Sequence, residues 1–199
     1  MSRAGRLISM LDRLQDIRTG KVKETIRESR KKIELEGFIE DFVESLDEIT
    51  LLDPESETHD YRSRVKTSIR DGLYVNASSP YLNSALREIL RNAIMYSLIG
   101  TPVTIVILPK ADNVQIDIID EGYGIRAKEN DRVFDPFSRA RQPQIISEFG
   151  YGLALYLAKT EIEAMNGRLW FTSKEGVGTT FSIQLPAWKD AGSSSSSTS

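Results

Sequence analysis

Cysteine is absent from this 199-residue chain. Its absence excludes disulfides and thiolate metal sites. Histidine occurs once, at His59. No apolar run reaches the ~20 residues of a membrane-crossing helix, and no signal peptide is visible. An excess of one charge is missing too. Twenty-six Lys and Arg against 29 Asp and Glu give a formal net charge of -3. No general attraction to nucleic acid or an anionic membrane surface is therefore expected. These absences describe a soluble chain, expected in the cytoplasm, that meets a membrane only if a parent protein supplies an anchor. Its length suits one ordinary domain plus an appendage. Residues 193–199, Ser-Ser-Ser-Ser-Ser-Thr-Ser, read as a disordered low-complexity tail, drawn here as 189–199.

Two apolar stripes come first. Leu7, Leu11, Leu14 and Ile17 have helical spacing. So do Val22, Ile26, Ile33, Leu35, Phe38, Phe42, Leu46 and Ile49, after a break at Thr19-Gly20. The pattern predicts a helical hairpin over residues 1–52. A lone hairpin buries two stripes poorly, so the reading favours a homodimer through residues 5–51, closing a four-helix bundle. Packing of the hairpin on its own neighbouring domain is the alternative. Residues 53–71, polar and starting Asp53-Pro54-Glu55, read as a linker leading into the next domain.

From residue 72 to 188 the pattern changes. Strands are expected at 73–75, 102–108, 114–120, 168–173 and 179–185, and helices at 80–97 and 152–165. The second helix should stop at Asn166-Gly167. Helices on one face of a mixed sheet make a two-layer α/β sandwich, and the whole chain is α+β.

Four motifs stand in order on this framework. In Leu82–Ser97, Glu88 and Asn92 lie four apart and share a helix face. An acid and an amide there can hold a divalent cation or polarise a nucleophile. Asp120-Glu121-Gly122-Tyr123-Gly124 follows an alternating strand, so a carboxylate stands at a strand end beside glycines that admit close approach. Val133-Phe134-Asp135-Pro136-Phe137-Ser138-Arg139 is an aromatic-flanked turn ending in cations. Gly150-Tyr151-Gly152-Leu153 opens a helix, where backbone N–H groups can cradle phosphate.

This order resembles the ATP-binding catalytic domain of sensor histidine kinases, of the Bergerat or GHKL type shared with gyrase, Hsp90 and MutL. Residues 82–97 resemble its N box, and 120–125 its first glycine box. Residues 134–139 resemble its F box, and 150–155 its second glycine box. Gly176-Val177-Gly178-Thr179-Thr180-Phe181 resembles its closing strand. The resemblance implies ATP and Mg2+ as cofactors, with Asn92 on the metal. It implies Asp120 on the adenine amino group. Gly122, Gly124 and Ile125 would lie beside the base, with Thr179 close to Asp120. Tyr96 and Phe137 would border the nucleotide, and Gly150, Tyr151, Gly152 and Leu153 its phosphates. Glu88 is the candidate that activates the attacking group. Arg139, or Arg141, would stabilise charge during transfer from a lid at 138–149.

Three departures qualify the resemblance. Ala154 stands where glycine is usual, Tyr151 replaces a small hydroxyl residue, and Met95 stands where a cation is common. More importantly, the hairpin has no phosphoacceptor histidine. His59-Asp60-Tyr61-Arg62 mimics the family's acceptor motif but lies after the hairpin. The expected activity is phosphoryl transfer from Mg-ATP to a protein histidine, with a response-regulator receiver domain as the next partner. The alternatives are a histidine-free GHKL module that regulates a partner, and a serine/threonine kinase of the anti-sigma type.

Overall fold

A computed structural model describes residues 3–48, 62–138 and 151–189. In chain order, α1 is Arg3–Arg18, α2 Lys21–Ser29, β1 Arg30–Glu34 and α3 Leu35–Glu44. Then follow β2 Val65–Ile69, β3 Tyr74–Ser78, α4 Ser79–Tyr96, β4 Val103–Lys110 and β5 Asn113–Asp120. The series closes with α5 Ala154–Ala164, β6 Arg168–Lys174 and β7 Gly178–Pro186.

Five strands form one sheet in the order β2-β4-β5-β7-β6. β2 runs parallel to β4, and every other pairing is antiparallel. Alternation in the sequence becomes alternation in burial. Val114, Ile116, Ile118 and Asp120 of β5 are buried, and the residues between them are partly exposed. β4 and β5 join through a tight turn, with Lys110 opposite Asn113 and Ala111 at φ 50°. Helices α4 and α5 pack on each other and on the sheet. Leu86, Ile89, Ala93, Ile162 and Met165 meet Ile105, Ile116, Ile118 and Ile183 in one core. This is the expected two-layer sandwich. α5 ends as expected, with Asn166 at φ 61° and the Gly167 N–H donating to the Ile162 carbonyl at 2.9 Å.

The N-terminal segment corrects the hairpin reading. Residues 22–51 are not one helical arm. α2 stops at Ser29, and Arg30–Glu34 forms β1, antiparallel to β3 with Ile33 opposite Val75. α3 then starts afresh. The Glu34 carboxylate caps it, accepting from the N–H groups of Glu36 at 3.0 Å and Gly37 at 2.7 Å. Val22, Ile26, Ile33, Leu35, Ile39, Phe42 and Leu46 are buried in the same core as Leu82, Leu86 and Ile89. The stripe that argued for a second chain is covered within this one, as in the alternative reading.

Residues 62–69 are not linker. They form a short 3-10 turn and β2, the edge strand beside β4. Arg64 anchors this entry to the end of α4. Its guanidinium donates to the Ser97 hydroxyl and to the carbonyls of Thr101 at 2.9 Å and Leu98 at 3.1 Å. The expected linker at 53–61, His59 and the tail beyond 189 lie outside the described residues.

Candidate functional site

The end of β5 builds the centre of the site. Asp120 is 6% exposed. Its Oδ1 accepts the Thr179 N–H at 3.2 Å, and the Gly122 N–H also donates to the carboxylate. Burial dominates over these donors and pushes the carboxyl up to about 7. A carboxylate so poorly solvated gains from a further donor. Around it the backbones of three segments are pressed together. Ser97 bridges Gly122, and the Tyr123 N–H donates to the Tyr96 carbonyl at 3.1 Å. A Cβ on Gly122 would collide with that carbonyl, so only glycine fits there. Gly124 backs onto Lys174.

Thr179, opposite Asp120 across the β5–β7 pairing, is itself buried. Its hydroxyl shares a 2.9 Å hydrogen bond with Ser173. Ser173 also accepts the Ile125 N–H at 2.8 Å and bonds the Gly178 carbonyl at 3.0 Å. Asp120, Ile125 and Thr179 are thus fixed by one network. Sequence reasoning missed Ser173, because it sits 48 residues from Ile125 in a strand with no motif of its own. It also left Gly178 off the site, although a Cβ there would collide with the Asp120 carbonyl.

The N-box helix places Asn92 one turn beyond Glu88, with Tyr96 one turn further. Asn92 and Tyr96 are half-buried. Glu88 is only about a tenth exposed, and both its oxygens are taken. Arg6 of α1 donates to Oε2 at 2.6 Å, and Arg13 of α1 to Oε1 at 3.2 Å. Arg13 also grips Glu161 of α5 bidentately, at 2.9 and 3.0 Å. Burial raises the Glu161 pKa, and Arg13 works against that rise. The sequence spacings of these pairs, 82, 75 and 148 residues, hid them from a local reading.

The remaining expected residues divide. Gly152, at φ 69°, lies against Phe137 and Ser138, where a Cβ would stand 2.7 Å from the Ser138 carbonyl oxygen. Leu153 is buried against Met10 of α1 and Leu157, with Tyr151 half-buried beside them. Phe137 is 65% exposed at φ 62°. The anchored aromatic of the F box is Phe134 instead, 5.8 Å from the Phe171 ring and under Lys159 at 4.7 Å. Arg139, Arg141, Gly150 and the expected lid beyond Ser138 lie outside the described residues.

Residues 77–189 match a family model described as histidine kinase-, DNA gyrase B- and HSP90-like ATPase. The sensor histidine kinase WalK of Bacillus subtilis is 36% identical over 116 residues, covering 57% of this chain and 19% of that protein. The sensor-like histidine kinase SenX3 of Mycolicibacterium smegmatis is 31% identical over 126 residues, covering 63% and 33%. The chain spans a third or less of the length of these relatives. Among solved structures, the Acinetobacter baumannii histidine kinase AdeS superposes with a TM-score of 0.66 at 18% identity, covering 93% of this chain and 79% of that one. The mycobacterial sensor histidine kinase MprB gives 0.62 at 21%, covering 81% and 99%. At those identities the likeness is one of fold. The family match covers more than half the chain and contains the N-box helix, Asp120 and Thr179, so the chain belongs to the histidine kinase-, DNA gyrase B- and HSP90-like ATPases, with the ATPase domain of sensor kinases.

Proposed function

We infer that this chain is the catalytic region of a sensor histidine kinase. It transfers the γ-phosphate of Mg-ATP to a protein histidine, for relay to a response-regulator receiver domain. The observation that carries this is Asp120, a buried strand-end carboxylate beside a wall that only glycine can form. Its poor solvation, only partly offset by two backbone N–H donors, fits the exocyclic amine of adenine as a further donor. Asn92, an uncharged oxygen donor, fits a Mg2+ that takes its other ligands from phosphate and water. Gly152 and Leu153 supply backbone for the phosphates. Arg139 neutralises charge on the transferring group. Such a transfer asks the protein mainly for positioning and charge neutralisation. We propose a cytoplasmic site for the reaction, which agrees with ATP as the donor.

The homodimer proposed through residues 5–51 rests on the outer face of α1. Ile8 and Leu11 are exposed there, whereas the stripe of α2 and α3 is already buried.

One observation favours a second reading, a histidine-free regulator that binds nucleotide. The segment 1–52 contains no histidine, and His59 is the sole one in the chain. Incubation with γ-labelled ATP, Mg2+ and a separately supplied histidine-bearing kinase hairpin separates the two. The expected result is acid-labile label on the added hairpin and none on this chain. Acid-labile label on this chain would make His59 the acceptor. Bound ATP with no label on either protein would favour the regulator.

A further inference from the structure

Helix α1 reaches the site from outside the family-matched residues 77–189. It makes three kinds of contact there. Arg6 and Arg13 occupy both oxygens of Glu88. Arg13 closes a fork on Glu161, whose side chain is 1% exposed. Met10, 2% exposed, seats on Leu153 and Leu157, next to Gly152. The contacts join the N-box helix to the helix that opens after the second glycine box. Each Glu88 oxygen keeps a second acceptor site, but the two guanidiniums hold the carboxylate against α1 and restrict its turning toward an attacking group.

The geometry points to α1 as an autoinhibitory latch that silences Glu88. It rests on the reading of this site as a Mg-ATP site. Docked, α1 compensates two acids beside the phosphate end, which favours binding of the polyanionic nucleotide. It also keeps Glu88 out of the chemistry. Released, α1 leaves Glu88 free. The carboxylate then takes a proton from a water whose oxygen bonds to the γ-phosphorus. The bond from that phosphorus to the β,γ-bridging oxygen breaks, and ADP and phosphate leave. With a histidine acceptor in place, the unprotonated imidazole nitrogen bonds to the γ-phosphorus, the other ring nitrogen gives up its proton to Glu88, and the same bond to the β,γ-bridging oxygen breaks to release ADP. The two states therefore differ in opposite senses for binding and turnover, and docking is linked to bound nucleotide through one coupling free energy.

The charge contacts allow a swap. Arg13→Glu sets a third acid against Glu88 and Glu161 and should release α1. Adding Glu161→Arg restores an opposite pair and should redock it. Three readouts are taken on the whole chain: hydrogen exchange of residues 5–17, ATP affinity, and phosphate release at saturating ATP. For Arg13→Glu, exchange should quicken, affinity should fall several-fold and turnover at saturation should rise about tenfold. The Glu161→Arg second change should reverse all three. Adding Glu88→Gln to Arg13→Glu should abolish the gain in turnover. Met10→Ser loosens the same helix without touching a charge, so it gives the same sign even if the charged variant does not fold. Faster exchange with turnover unchanged or lower would overturn the latch while leaving the ATP site standing. ATP binding absent from the parent and every variant would instead strike the site itself, and the latch with it.

Discussion

At the scale of single residues, Asp120 carries the most testable chemistry. Burial raises its pKa from 3.8 to about 7. The native state therefore keeps a proton that the unfolded chain gives up between those values. Asp120 costs no stability below the unfolded pKa. Its cost grows as pH rises and is complete above the folded pKa. Asp120→Asn removes the cost and retains an acceptor for the Thr179 N–H. Thermal or urea unfolding should show the variant more stable than the parent by about 1–3 kcal/mol at about pH 8, with the difference vanishing at about pH 4. A constant difference across that range would mean that Asp120 does not titrate abnormally. Binding has a linked sign. An ionised acid accepts the adenine amine best, so ATP affinity in the parent should rise as pH passes through about 7, and should be flat in Asp120→Asn.

Asp120 was legible in the sequence because an alternating strand ended on it and glycines followed. Its partner Ser173 was not, since nothing local marks a serine that organises Ile125 and Thr179 from a neighbouring strand. Glu88 was legible as a helix-face acid, but its neutralisation was not. The arginines responsible lie on a helix that the apolar pattern placed in a hairpin, with pairing to a second copy favoured over packing on its own domain. Phe137 and Phe134 divide the F box differently from the sequence pattern. A motif position suggested a ligand contact, and the side chain points to solvent, while Phe134 does the packing.

Elements tell the same story at larger scale. The helices α4 and α5 and the strands β4 to β7 were readable because each has a strong period and a clear stop. β1 and β2 were not. Each has one fully buried side chain, Ile33 in β1 and Val65 in β2, and the others are exposed or half-buried and, apart from Ile69, polar. Ile33 also falls seven residues after Ile26, which is a helical interval. Only pairing with β3 and β4 makes these segments strands, and that pairing is tertiary. A deletion separates the two views of this segment. Seven apolar side chains of residues 22–46 are in the shared core. Burying them contributes on the order of 10 kcal/mol, comparable with the whole stability of a domain. A chain lacking residues 1–52 should therefore lose cooperative thermal unfolding, while one lacking residues 1–20 should keep it. Two equally cooperative transitions would restore the independent hairpin.

In the whole molecule, distant segments converge on one place. Two glycine-lined backbones and a buried acid meet at the end of β5. The N-box helix runs past them, and α1 closes onto that helix at Glu88. None of these parts needs a net charge or a cysteine, which agrees with the chain's composition. The central claim is that this convergence recognises adenine through Asp120. Calorimetric titration of ATP and GTP, with Mg2+, into the parent and Asp120→Ala tests it most directly. Guanine offers a carbonyl oxygen where adenine offers an amine, so it sets two acceptors against each other. The account predicts that the parent prefers ATP by about 100-fold or more, and that Asp120→Ala loses ATP affinity and the preference together. Equal affinity of parent and variant for ATP, or no preference between the two nucleotides in the parent, would contradict it.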